Sequence, residues 1–133
     1  MTWEIERENG AALELDDVLE VYRSSGLGER RPVADVERMA AMVRNANLVV
    51  TCRVGGALVG IARSVSDFSY VTYLSDIAVS RPYQRTGIGR ALIDATRKEA
   101  PQAKIVLLSA PAATDYYPHI GFTRHHSAWV LNP

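Results

Sequence analysis

The chain switches hydrophobic period several times, and each switch marks an element. At the start, Trp3 and Ile5 alternate with Glu4 and Glu6, the pattern of a short half-buried strand over Trp3–Arg7 that Asn9-Gly10 closes. Leu15, Val18, Leu19 and Tyr22 then form a helical stripe, ended by Gly26 and Gly28. A second helix starts near Asp35, a residue type suited to an N-cap, with Val36, Met39, Ala40 and Val43 on one face. From Leu48 the period becomes that of strands. LVVTCRV runs into Gly55-Gly56, a hairpin turn, and ALVGIARSV returns. After Asp67-Phe68-Ser69, YVTYLSDIAV completes a three-strand meander. Ile88, Ala91, Leu92 and Ala95 fall at i, i+3, i+4 and i+7, which restores a helix ending near Ala100-Pro101. Lys104–Leu108 is a continuous β-branched and leucine-rich run, read as a buried strand parallel to its predecessor across the helical crossover. A short helix is expected over Ala112–His119, and Phe122–Leu131 reads as extended, as one strand or two.

This order describes an α+β domain with a mixed, mostly antiparallel sheet of six or seven strands. At 133 residues, all of 1–133 fits one domain with one core. A formal net charge of zero removes any general pull toward nucleic acid or an anionic membrane, so neither is expected as a partner. The basic residues between Arg81 and Lys98 are a local cluster. One cysteine, Cys52, excludes an internal disulfide and suits a reducing cytoplasm, where the protein is expected. No apolar run approaches the roughly 20 residues of a membrane span, and the acidic start MTWEIERENG does not read as a signal peptide. The three histidines and the cysteine show no metal-ligand spacing, so no metal is expected.

Chemistry concentrates in the stretch from Tyr73 to Ala100. An apolar strand, Leu74–Val79, leads into a polar loop with Arg81, Gln84, Arg85 and Thr86, and then Gly87 and Gly89 open a helix. The first turn of a helix has N–H groups without partners at the positive end of its dipole, and glycine lets an anion approach that backbone. No Gly-Lys-Ser/Thr follows, so this is no P-loop. Leu92 stands where a dinucleotide fingerprint needs its third glycine. The combination Gln84-x-x-Gly87-x-Gly89, after a strand ending Ala78-Val79, resembles the acetyl-CoA loop of the GNAT superfamily of N-acetyltransferases. Tyr116-Tyr117-Pro118-His119-Ile120-Gly121-Phe122 resembles that family's second signature, an aromatic-tyrosine pair followed by Gly-Phe. The likeness covers nearly the whole chain.

The resemblance implies a sheet with helices on both faces, with the strands ending at Val79 and beginning at Lys104 splayed around a cofactor cleft. It implies acetyl-CoA as cofactor, held by Ile77, Ala78 and Val79 along its arm and by Gln84, Arg85, Thr86, Gly87, Ile88, Gly89 and Arg90 at the pyrophosphate. It implies a small-molecule or peptide amine as acceptor, attacked directly, with Tyr117 as the acid for the leaving thiol and room for a homodimer. The family often carries a glutamate on the strand before the loop, on the face that Tyr73, Ser75 and Ile77 would occupy here. None of these is a carboxylate. Asp76 is adjacent but alternates to the other face unless a bulge rotates it, and it is the candidate acid for the amine. Ser75, Arg30, Arg31 and Trp129 are candidates to line the acceptor pocket. The missing glutamate keeps a second reading open, a non-catalytic acyl-CoA-binding module on the same fold.

Overall fold

In the computed structural model, which describes residues 2–133, the elements follow the expected order through the middle of the chain. The strands are β1 (Glu4–Glu8), β2 (Leu48–Val54), β3 (Ala57–Ser66), β4 (Val71–Val79) and β5 (Lys104–Val106). The helices are α1 (Leu15–Ser25), α2 (Val36–Asn45), α3 (Ile88–Glu99) and the single turn α4 (Tyr116–His119). Local chemistry sets the boundaries. Gly26, at φ 92°, closes α1 in the left-handed region that glycine tolerates. The Asp35 carboxylate accepts from the Arg38 backbone N–H at 3.1 Å and caps α2.

Among the described residues the strands form one sheet in the order β1-β2-β3-β4-β5. The first four pair antiparallel, and β5 adds in parallel after the α3 crossover. Both faces of β2 are covered, which is why it reads as a continuous apolar run. Leu48, Val50 and Cys52 point to one side, where Ala62, Leu74, Ile88, Leu92 and Ile93 complete a core beneath α3. Val49 points to the other side, into a second core made with Ile61, Ala78, Val18, Leu19, Val21 and Tyr22 from α1 and Met39 and Val43 from α2. Each buried Val, Leu, Ile or Met among them contributes about 1.5–3 kcal/mol relative to exposure.

The end of the chain departs from expectation. The sheet has five strands among the described residues, not six or seven. β5 is three residues long and half exposed rather than a buried five-residue strand. The expected helix over Ala112–His119 is a 3-10 turn at Pro111–Ala113 followed by α4. Phe122 packs against the α3-side core, but from Thr123 onward every residue is exposed and none joins a strand. The three residues of β5 offer the tail only a short edge to pair with. No helix is long and apolar enough to cross a membrane among the described residues.

Candidate active site

The site is built on an incomplete ladder. β4 is nine residues long, but β5 pairs only with Val71, Thr72 and Tyr73. Immediately beyond, the β3–β4 register slips: Ser64 faces Leu74 and Arg63 faces Asp76, leaving Ser75 as the extra residue of a bulge. Thr72 and Leu74 point toward α3, and beyond the bulge Asp76 and Ala78 point toward α1. Ile77 and Val79 then lie against the α3-side core. A bulge bends its strand and raises the local twist, so the two parallel strands separate where it begins. The expected splay is therefore present as a loss of pairing along Leu74–Val79. The face expected to hold Tyr73, Ser75 and Ile77 together does not exist, because the bulge divides it.

The carboxyl end of that open edge meets the start of α3. Gly87 takes φ 92° as N-cap, and Arg85 before it takes φ 63°. No side chain caps α3, and its first turn carries no acid. A side chain at Gly89 would meet no protein atom within 4 Å. The helix thus presents free N–H donors to an open space, a surface that fits a pyrophosphate. Ile88 is buried beneath it and anchors the turn. Gln84 and Thr86 serve the loop itself. The Gln84 amide donates to the Val79 carbonyl at 2.9 Å, tying the loop to the end of β4, and the Thr86 hydroxyl donates to the Tyr83 carbonyl at 2.5 Å. Arg85 and Arg90 are exposed, and Arg90 lies 3.9 Å from Asp94 in a solvated i,i+4 pair that leaves it free to meet an anion.

On the α1 side of the gap the structure assembles a cluster. Asp76 is buried, accepts from Arg63 Nε at 2.6 Å and the Tyr22 hydroxyl at 2.6 Å on one oxygen, and accepts from Arg31 Nε at 2.6 Å on the other. Arg63 also donates to the Ser75 hydroxyl at 2.9 Å, and Arg31 to the Ser75 carbonyl at 2.8 Å. Burial pushes the Asp76 carboxyl up, but Arg63 first, then Tyr22 and Arg31, bring it below its ordinary value. Burial and the Asp76 charge push the Tyr22 hydroxyl well above its usual range. The bulge does rotate Asp76 onto the Ser75 side, and each of its oxygens already accepts a hydrogen bond from an arginine. Arg31 is likewise committed to Asp76 and Ser75, and it ties the α1–α2 loop to β4.

Tyr117 sits on α4 and packs against the α3-side core together with Ile77 and Val79, with its ring edge-on to Tyr116 and Phe122 at 5.3 Å in each case. Burial raises its hydroxyl above the ordinary tyrosine value, with Tyr116 adding to the effect. Arg30 is exposed on the α1–α2 loop. Trp129 is 93% exposed, and the segment around it joins no sheet. Arg63 and Tyr22 were missed by sequence reasoning. One signal was available: Arg63 is the lone charge inside an otherwise apolar strand, next in the meander to the strand where Asp76 is the lone acid. A surface hollow of about 460 Å³ between Arg7, Glu8 and Asn47 lies at the β1 edge, away from all these groups.

Comparison with known proteins agrees with this geometry. Residues 12–131 match the family model described as acetyltransferase (GNAT) domain. A GNAT-family acetyltransferase of Streptococcus pneumoniae superposes with a TM-score of 0.78 at 21% identity, covering 99% of this chain and 100% of that one. A protein of unknown function from meticillin-resistant Staphylococcus aureus, described as a probable acetyltransferase, reaches 0.80 at 18% identity, over 99% and 98%. An aminoglycoside acetyltransferase from an uncultured soil metagenomic sample, in complex with trehalose, gives 0.69 at 21% identity, over 98% and 95%. At these identities the solved structures speak for the fold.

Proposed function

Because the chain belongs to the GNAT acetyltransferase family, we propose that it transfers an acetyl group from acetyl-CoA to a primary amine of a small molecule or peptide, by direct attack of the amine. The carrying observation is the open edge of β4 that ends at an uncapped helix start. An unpaired strand edge costs hydrogen bonds unless a ligand supplies them. An extended amide-bearing chain with a diphosphate at one end answers both features.

Bound acetyl-CoA supplies the thioester carbonyl and the leaving thiol. The protein's own work is division of labour along the gap. Backbone N–H groups from Arg85 to Arg90 hold the pyrophosphate, with the Arg85 and Arg90 side chains adding charge. The backbone of Ile77, Ala78 and Val79 pairs with the arm. An N–H of that opened edge, placed at the Ile77 end, steadies the carbonyl oxygen as it gains charge, a contribution of about 3–4 kcal/mol. Tyr117, which its raised pKa keeps protonated at neutral pH, would donate a hydrogen bond to the departing sulfur. The amine nitrogen would bond to the carbonyl carbon, the carbon–sulfur bond would then break, the proton lost from nitrogen would go to solvent, and the thiolate would leave stabilised by the Tyr117 hydroxyl. With Asp76 withdrawn, no side-chain carboxylate of β4 serves as base, so the amine reacts in its neutral form. The rate at subsaturating amine should climb with pH up to the amine's own pKa. The reading places the protein in the cytoplasm.

One observation favours a second reading. Asp76 is the sole acid of β4 and is fully engaged, which suits a module that holds an acyl-CoA without turning it over. Calorimetry with acetyl-CoA, followed by thiol release across a panel of primary amines, separates the two. Binding with release is the expected result. Binding without release on every amine gives the module, and no binding overturns both.

A further inference from the structure

On the α1/α2 face of the sheet, beyond the reach of those helices, three apolar side chains line up across three strands. Val65 on β3 is register partner to Tyr73 on β4, and Tyr73 is register partner to Val106 on β5. They are 50%, 39% and 41% exposed. Their direction follows from alternation. Leu74, Ser64 and Ile105, one step away on each strand, turn to the other face: Leu74 and Ile105 pack in the α3-side core, and Ser64 is the register partner of Leu74. Leu108, 48% exposed, continues the same alternation past β5. Tyr73 and Val106 form the last rung before the gap, so whatever enters the gap from this face lies against the row.

Charge narrows what that is. The groups beside the row are Arg63 and Arg31, with Asp76 between them. Two guanidiniums against one carboxylate leave an excess positive charge, and the carboxylate is bonded on both oxygens. Arg30, on the same loop, adds a further cation. Glu29, exposed beside Arg30, offsets that last cation, and the excess left by Arg63 and Arg31 over Asp76 still sets a polycationic acceptor against like charge. A monoamine with a flat apolar body would cover exposed tyrosine and valine surface that water now wets.

Resting on the acetyltransferase reading, we propose that the Val65–Tyr73–Val106 row is the floor of the acceptor site and selects amines with an aromatic or other apolar body over polyamines and aminoglycosides. The amine nitrogen projects into the gap at the bulge, and the apolar body lies on Tyr73 and Val106. Tyr73 and Val106 are specificity-determining residues and carry no step of the reaction.

The test compares 2-phenylethylamine with spermidine and kanamycin as acceptors for the full-length protein, with acetyl-CoA affinity measured separately by calorimetry. The expected result is a kcat/KM for phenylethylamine at least about 10-fold above either polycation, the scale on which apolar pockets discriminate. Tyr73→Ser and, independently, Val106→Thr should raise KM for phenylethylamine about 10-fold, leaving acetyl-CoA affinity and the melting temperature nearly unchanged. Equal or better use of spermidine or kanamycin overturns the inference and leaves the transferase reading intact. So do variants whose KM does not move. Loss of a dimer on gel filtration with unmoved kinetics would assign the row to a second copy and also overturn it. Failure of the wild-type protein to bind acetyl-CoA would instead remove the acetyltransferase reading itself, and this inference with it.

Discussion

The two halves of the sheet are built to opposite rules. From β1 to β4 the ladder is long, both faces of β2 are buried, and the charged groups inside are matched, as in the Asp76–Arg63–Tyr22 cluster. From β4 to β5 the ladder stops after three rungs, and the chain beyond Thr123 is exposed. The first half holds the fold. The second leaves donors, acceptors and apolar surface unspent, which is the condition for binding something else. The bulge at Ser75 is the boundary, and Asp76 stands on the closed side of it. An acid at this sequence position looks catalytic until its partners are counted.

Several substitutions should break or sharpen this division. The largest effect belongs to the open half. Gly87→Glu places a carboxylate against the pyrophosphate position and a Cβ at φ 92°, and should weaken acetyl-CoA by at least about 10³-fold in calorimetry, since like-charge contact costs several kcal/mol. Gly87→Asn, which tolerates that φ without a charge, should retain much of the affinity; equal losses would mean the loop is merely strained.

Next comes the closed half. Asp76→Asn leaves the buried Arg63 and the half-buried Arg31 without their anion and should cost about 3–5 kcal/mol, read as a drop of roughly 10–15 °C in melting temperature. Acetyl-CoA affinity of the folded fraction should hold. The same pair predicts a pH dependence. Asp76 has a folded pKa below its unfolded value, so its stabilisation is full above about pH 5 and is lost as pH falls below about 4 toward the folded value. Asp76→Asn should flatten that acid limb in urea titrations. A variant that melts like wild type, or keeps the limb, would mean the cluster does not hold the fold.

Tyr117→Phe tests the boundary from the other side. It removes one oxygen from a ring that stays packed between Tyr116 and Phe122, so stability and cofactor affinity should barely change while kcat falls about 10²-fold. Wild-type turnover would make Tyr117 a core residue only. The smallest effect is expected from Trp129→Ser. At 93% exposed it should shift stability by less than about 0.5 kcal/mol. A larger loss would show that the tail is buried in the functional state.

Much of the first half was legible in the chain. The stripes of α1, α2 and α3, the Gly55-Gly56 hairpin and the Asp35 cap are set by neighbours a few residues apart, and periodicity reports such neighbours directly. Gly87 and Gly89 were legible for the same reason, because a helix start and a left-handed φ are local demands. The fate of Phe122–Leu131 was not. Its extended pattern states a preference, and whether a strand forms depends on a partner edge far along the chain.

By itself, then, the sequence determined the order of elements, the two apolar faces and the anion-ready start of α3, since each follows from contacts between near neighbours. Only the tertiary structure decided the rest. The bulge that divides β4, the two arginines that silence Asp76, the three-rung ladder to β5 and the row through Tyr73 all depend on register between distant segments. Register is set by packing summed over a whole face, a quantity no short window of residues contains.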